Sequence, residues 1–171
     1  MSQLFTQFMN TAFLLTGGNL GNRFENLELA YKQIQQTCGP IISRSAIYRT
    51  AAWGVYEQPD FYIQALELQT FLPPDALMLA LLSVEEKMGR KRTVKMGPRI
   101  IDIDILLMND MIYNSSILTI PHPHLHERRF ALTPLAEIAA NVMHPVFKKS
   151  IRDLLHACTD TLSVYKISGD E

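Results

Sequence analysis

With 171 residues, and 16 Lys and Arg against 17 Asp and Glu, the chain is almost neutral at a formal charge of −1, which speaks against a nucleic-acid partner or an anionic membrane surface. Cys38 and Cys158 are its two cysteines; they show no metal-ligand spacing and fit a reducing compartment better than a disulfide scaffold. The length suits a single domain over 1–171, so any phosphate chemistry has to come from locally clustered charge.

The opening stretch, Met1 to Gly18, lacks a basic leading region, and its apolar run Ala12 to Leu15 is too short to span a bilayer. A soluble, cytoplasmic protein with no membrane partner is expected, with a monomer as the default. Thr11 to Thr16 reads as a buried strand stopped by Gly17-Gly18. From Asn22 to Gln36, Phe24, Leu27, Tyr31 and Ile34 recur at helical spacing until Gly39-Pro40 ends the pattern. Ile41 to Arg49 and Tyr62 to Thr70 read as strands, and Ala51 to Asp60 between them is long enough to suggest a functional loop. Pro73-Pro74-Asp75 opens a second helix reaching toward Gly89, with Leu77, Leu81 and Val84 on one stripe and Leu82 and Glu85 on its neighbour. Ile100 to Met108 reads as a buried strand, and Arg128 to Ala140 and Lys149 to His156 as shorter helices. Strands and helices interleave without strict alternation. The expected fold is therefore α+β, a ferredoxin-like plan in which a mixed, largely antiparallel sheet is covered by helices.

The densest chemistry lies between Gly89 and Leu107. In a strand, side chains two apart share a face roughly 6.5 Å from each other, so Asp102 and Asp104 point together while Ile101, Ile103 and Ile105 face the other way. Two like charges held side by side invite a hard divalent cation, and magnesium, which accepts a few carboxylates plus phosphate oxygens, fits best. A strand with one solvated face explains the pair equally well when it is taken alone. Just before it stand Arg90, Lys91, Arg92, Lys95 and Arg99, and cations beside a metal are what a polyphosphate requires.

Two further stretches are less decisive. Gly17-Gly18-Asn19-Leu20-Gly21 precedes a helix but matches no phosphate-loop spacing; phosphate cradling and a turn that needs flexible backbone both account for it, and spacing assigns it no ligand contact. In Ile120-Pro121-His122-Pro123-His124-Leu125-His126-Glu127-Arg128-Arg129-Phe130 three alternate histidines have the look of metal ligands. Pro121 and Pro123 argue against the strand that would align them, so surface-loop histidines are the favoured reading over a zinc site.

Taken together the stretches resemble the 6-hydroxymethyl-7,8-dihydropterin pyrophosphokinase family, whose pattern G-R-x-R, then G-P-R-x-x-D-x-D-I-L, then P-H-P-x-x-x-x-R-x-F is met in order. The likeness extends through Gly17 to Gly21, Tyr48-Arg49-Thr50, Gln58-Pro59-Asp60-Phe61, Pro134 to Ala139 and His144-Pro145. It implies a folate-pathway transferase that moves diphosphate from ATP to a pterin hydroxymethyl group, with Asp102 and Asp104 holding two Mg²⁺ ions. It also implies that Arg90 and Arg92 ride on a mobile segment, Gly89 to Met96, that closes over the phosphates. Glu85, Arg99, Ile105, His122 and Arg128 would complete the ATP site. Phe61 and Phe130 would sandwich the pterin, Thr50, Ala51, Ala52 and Trp53 would bond its edge through their backbone, and Ile63 would line the same pocket. Asp102 would help to deprotonate the hydroxymethyl group. Three positions depart from the pattern: Ile63 stands where Asn is usual, Met96 where an aromatic is usual, and Gly18 where Ser is usual. Another Mg-dependent phosphotransferase, or a non-catalytic pterin- or nucleotide-binding relative, is the alternative.

Overall fold

A computed structural model describes residues 8–52, 57–91 and 96–168. Strand β1 (Asn10–Gly18) carries apolar side chains on both faces because both are covered. Helix α1 (Arg23–Thr37) begins where the Asn22 side chain accepts the Glu25 N–H at 3.1 Å, satisfying one of the donors a helix start leaves orphaned. Strand β4 (Phe61–Thr70) pairs with every residue of β1. Helix α2 (Pro74–Lys87) uses Pro74 in its first turn, where a missing N–H costs nothing, and β5 (Asp102–Met108) returns along the other side of β1.

The single strand expected over 41–49 is two, β2 (Ile41–Arg44) and β3 (Tyr48–Thr50), both paired with β4. Side chains take over at the break: the Ser45 hydroxyl accepts the Ala65 N–H at 3.0 Å, the Ser45 carbonyl accepts Gln64 Nε2 at 2.8 Å, and Ala46 N–H donates to Glu137 at 3.1 Å. The remaining elements are a short ribbon of β6 (Tyr113–Asn114) and β7 (Thr119–Ile120), α3 (Arg129–Ala139), α4 (Ile151–Ala157) and β8 (Val164–Lys166). α4 starts two residues later than expected, at the point where Ser150 Oγ accepts the Asp153 N–H.

The main sheet runs β5-β1-β4-β3-β8, with β2 also on β4, and every described pairing is antiparallel. The order β1-α1-β2/β3-β4-α2-β5 is the ferredoxin-like plan, to which α3, α4 and β8 are added. One face packs Leu14, Leu66, Leu68 and Ile103 against Leu81 of α2 and Ile34 of α1. The opposite face packs Phe13, Leu15, Leu106 and Leu107 against Leu132 of α3 and Leu154 of α4. Each such side chain contributes roughly 1.5–3 kcal/mol by leaving water. Two irregularities shape the sheet near the ends of β1 and β5. β1 does not stop before its glycines; it continues through Gly17 and Gly18 because nothing larger fits. A Cβ on Gly17 would lie 2.8 Å from Ile63 Cγ2 and one on Gly18 2.1 Å from the Ile100 carbonyl oxygen. In β5 the register slips between Phe13, opposite Leu107, and Leu14, opposite Ile105, leaving Leu106 as the extra residue of a bulge.

Candidate active site

Alternation along β5 sends Asp102 and Asp104 toward the α3 side of the sheet, while Ile103 and Ile105 go into the opposite core. The Asp102 carboxylate meets Arg90 Nη1 at 2.9 Å and Arg99 Nη1 at 3.2 Å. Arg90 also closes on Glu85, whose carboxylate accepts the Ile103 N–H at 3.3 Å. A chain of opposite charges, Glu85–Arg90–Asp102–Arg99, thus ties the end of α2 to the start of β5. Burial pushes the Glu85 carboxyl up, Arg90 pulls it back and Asp102 raises it further. Asp104 is pushed up to about 7, by burial first and by the Asp102 charge second, against the lowering pull of Arg128 and Arg99. A cation at this point would relieve that repulsion. Among the described residues no three His, Cys, Asp or Glu side chains form a closed metal centre. The donor set is therefore two carboxylates, which suits an ion that takes its other ligands from phosphate and water.

Beside the acids lies a cavity floored by Leu15, Gly17 and Ile63, walled by Phe61, Phe130, Thr50 and Ala51, and closed toward β5 by Met96, Arg99, Arg128, Asp102 and Asp104. The Arg99 guanidinium sits 5.6 Å from the Phe61 ring centroid and that of Arg128 5.7 Å from the Phe130 ring centroid, so each aromatic wall carries a cation beside it. Strand register decides what the floor offers. Ile63, opposite Gly17 and Tyr48, is the cavity residue, whereas Gln64 points to the other face and donates to the Ser45 carbonyl. The amide next door does not substitute for the missing one. Thr50 Oγ1 is buried with no hydrogen-bond partner among the described residues, a polar point in an otherwise apolar wall.

Asp104 also borders a second cavity, formed by Met78 of α2, Ile105, residues 115–119, His122 and Pro123. His122 Nδ1 accepts the His124 N–H at 3.1 Å, which leaves Nε2 as the donor. Burial first, then Arg128 and His124, lower its pKa to about 4, so it acts as a neutral hydrogen-bond donor near pH 7. The three histidines do not converge: His124 pairs with Glu127 at 2.9 Å, and His126 packs at a tilt against Phe147.

The sequence-derived residues Thr50, Ala51, Phe61, Ile63, Arg99, Asp102, Asp104, Ile105, His122, Arg128 and Phe130 line one or other cavity, with Glu85 and Arg90 on their acidic rim. Ala52 borders neither. Arg92, Trp53 and half of the expected mobile segment, residues 92–95, lie outside the described residues. Leu15, Gly17, Met78 and the 115–119 stretch are site residues that sequence reasoning does not find. Leu15 and Met78 read as core in any pattern analysis, and Ser115-Ser116 as an ordinary turn.

The sequence profile of the family described as 7,8-dihydro-6-hydroxymethylpterin-pyrophosphokinase matches residues 13–140. A protein of Aquifex aeolicus named 2-amino-4-hydroxy-6-hydroxymethyldihydropteridine pyrophosphokinase is 38% identical over 145 residues, covering 85% of this chain and 90% of that one. A protein of the same name from Synechocystis is 36% identical over 165 residues, covering 96% and 84%. A crystal structure of Plasmodium falciparum HPPK-DHPS superposes with a TM-score of 0.77 at 19% identity, over 90% of this chain and 46% of that one. The chain thus spans less than half of that longer protein, and the superposition establishes the fold.

Proposed function

The chain belongs to the 7,8-dihydro-6-hydroxymethylpterin-pyrophosphokinase family, and from that premise we propose how its own residues carry out diphosphate transfer in folate biosynthesis. The observation that carries the reading is that Asp104 borders both cavities. One cavity has aromatic walls and takes the pterin; the other, beside Ile105 and His122, takes the adenosine of ATP. The phosphates then lie across the Asp102–Asp104 edge, between Arg90, Arg99 and Arg128. Asp102 and Asp104 would hold two Mg²⁺ ions, which supply charge neutralisation on the triphosphate when bound.

The pterin hydroxymethyl oxygen attacks the β-phosphorus, the bond from that phosphorus to the α–β bridging oxygen breaks, and AMP leaves with the bridging oxygen. Phe61 and Phe130 fix the ring plane so that the hydroxymethyl arm points toward Asp104. Asp102 would receive the hydroxyl proton. Arg99 and Arg128 neutralise charge developing on the transferred group, and His122 orients the nucleotide as a neutral donor. Arg90 is held by Glu85 and Asp102 here, so its service to phosphate requires it to exchange Asp102 for a phosphate oxygen. Arg92 would add a second cation from outside the described residues.

We take the chain to work as one domain over 1–171, a cytoplasmic monomer. The buried free thiols of Cys38 and Cys158 support a reducing compartment, and no helix among the described residues is long and apolar enough to cross a membrane. Incubating the protein with ATP, Mg²⁺ and 6-hydroxymethyl-7,8-dihydropterin tests the assignment. AMP and a pterin diphosphate in equal amounts are expected. ADP would make it a different phosphotransferase, and binding without turnover would make it a non-catalytic relative.

A further inference from the structure

The turn between β6 and β7 is tied to α2 by a polar link. β6 and β7 form a separate two-stranded sheet of two residues each, and a ribbon that short does not hold its own place. Leu118 and Ile120 sink its base into the core between the sheet and α2. Its tip, Ser116 and Ile117, is exposed. Ser115 closes the turn on itself: its N–H donates to the Leu118 carbonyl at 2.8 Å, and its hydroxyl oxygen accepts the Ile117 and Leu118 N–H groups at 3.3 and 3.2 Å. The hydroxyl proton goes elsewhere, to Asp75 Oδ1 at 2.7 Å, in the first turn of α2. The Tyr113 hydroxyl lies close to the same carboxylate; burial first and the Asp75 charge second raise its pKa.

The bond to Asp75 is not needed to complete the turn, because the Ser115 oxygen would accept both N–H groups equally well with its proton on water. A carboxylate in the first turn also suits the positive end of the helix dipole, so part of its value belongs to α2 itself. What the bond adds is position. Asp75 stands one helical turn before Met78, on the same side of α2, and Met78 lines the second cavity together with residues 115–119, Ile105 and His122. The link therefore fixes the spacing of that cavity from behind, since Asp75 itself lines neither cavity. Glu85 lies at the other end of α2, about 15 Å along the axis at 1.5 Å per residue, which puts the ion pairs around Arg90 beyond the reach of this bond.

We propose that Asp75 is a positioning residue for the nucleoside end of ATP, acting through Ser115. It holds the 115–119 turn against α2, so the cavity is formed before the nucleoside enters and binding does not have to order the turn. The inference rests on the assignment of this cavity to the adenosine. Its signature is selectivity: the nucleoside end of ATP depends on Asp75, and the phosphate end and the pterin do not.

The test measures, with Mg²⁺ present, the Kd of α,β-methylene ATP and of inorganic tripolyphosphate, together with steady-state kinetics and the melting temperature. Asp75→Ala should weaken binding of the ATP analogue about tenfold, the scale of one charge-assisted hydrogen bond. The KM for ATP should rise to match, while kcat and the KM for the dihydropterin at saturating ATP stay within about twofold. Tripolyphosphate should bind the variant and the wild type equally. Ser115→Ala should weaken the ATP analogue by the same factor, and the double variant should be no weaker than either single change. Asp75→Asn keeps an acceptor and Ser115→Thr keeps the hydroxyl, so both should recover most of the affinity. A lower melting temperature with the affinity for the ATP analogue unchanged overturns the proposal, because the link then serves stability alone. Equal weakening of the ATP analogue and tripolyphosphate overturns it too, as do additive losses in the double variant. A wild-type protein that binds the ATP analogue no better than tripolyphosphate overturns the assignment of the cavity and this inference with it, and one that does not turn over ATP overturns the functional reading.

Discussion

The two halves of the site are built from opposite materials. The side proposed for phosphate assembles Glu85, Arg90, Arg99, Asp102, Asp104 and Arg128 from α2, the segment between α2 and β5, β5 itself and the residue before α3, and ion pairs tie Glu85, Arg90, Asp102 and Arg99 together. The side proposed for the heterocycle is Leu15, Gly17, Ile63, Phe61 and Phe130, an outcrop of the hydrophobic core that stops short of closing over itself. On the proposed reading, residues of the first side serve chemistry at a cost to stability, because Asp104 is held above its ordinary pKa. Those of the second stabilise the fold and would bind ligand with the same atoms, so function and folding should separate on mutation in one half and not in the other.

The largest separation is expected at the acids. Asp102→Ala and Asp104→Ala should each reduce AMP production by about three orders of magnitude, the scale of losing several kcal/mol of charge stabilisation, while circular dichroism and cooperative melting persist. Turnover near wild type with Mg²⁺ in either variant removes the metal assignment.

Next in size is the glycine pair at the end of β1. Gly18→Ala sets a Cβ 2.1 Å from a backbone oxygen and should cost about 3 kcal/mol in denaturant unfolding, the upper end for overpacking. Gly17→Ala meets the movable end of Ile63 and should cost less, with Ile63→Val restoring part of the loss. Equal penalties would mean that the floor is as rigid as the backbone.

Ile63→Asn should tighten pterin binding about tenfold, within the 1–3 kcal/mol that an unpaired buried polar group costs, with nucleotide affinity unchanged. Its melting temperature should fall, because Ile63 is 4% exposed and packs in the core. Pterin binding that weakens along with the melting temperature would show that the ligand's polar edge faces elsewhere.

The smallest effect is on pH dependence, and its signs differ between two neighbours. Asp104 has a folded pKa above its unfolded value, so it makes the ligand-free protein lose stability as pH rises from about 4 to about 7. His122 has a folded pKa below its unfolded value, so it makes stability rise with pH from about 4 to its ordinary value of 6.5. The two slopes oppose each other in the wild type. Asp104→Asn should expose the rising limb and His122→Gln the falling one, in melting curves collected from pH 4 to 8. Stabilisation by Mg²⁺ and nucleotide should shrink below about pH 7, where protons compete for Asp104. Parallel pH profiles in the two variants would contradict these environments.

What is legible in the sequence divides along the same line. Asp102 and Asp104 announce themselves because strand alternation is local and charge inside an apolar run is conspicuous. Glu85 carries its own signal, a carboxylate one position from Val84 on a stripe otherwise facing the core. Leu15 and Gly17 have none: a core residue that also floors a cavity has the same pattern as one that does not. The end of β1 is hidden because Gly17-Gly18 reads as a turn until the crowding from Ile63 and Ile100 is known. The break at Ser45 depends on Gln64 and Glu137, partners that no window around residue 45 contains.

The bulge at Leu106 decides which changes of length the acids tolerate. Downstream of it Met108 stands opposite Ala12; upstream, Asp104 stands opposite Leu15. Leu106 and Leu107 share one face, so removing Leu106 alone would join Ile105 to Leu107, make the ladder regular and leave every side chain before it on its present face. Adding one residue between Asp104 and Leu106 with Met108 anchored would instead turn Asp102 and Asp104 into the core between the sheet and α2 and bring Ile103 out in their place. The strand that looks most ordinary in hydropathy therefore has room to lose one residue and none to gain one.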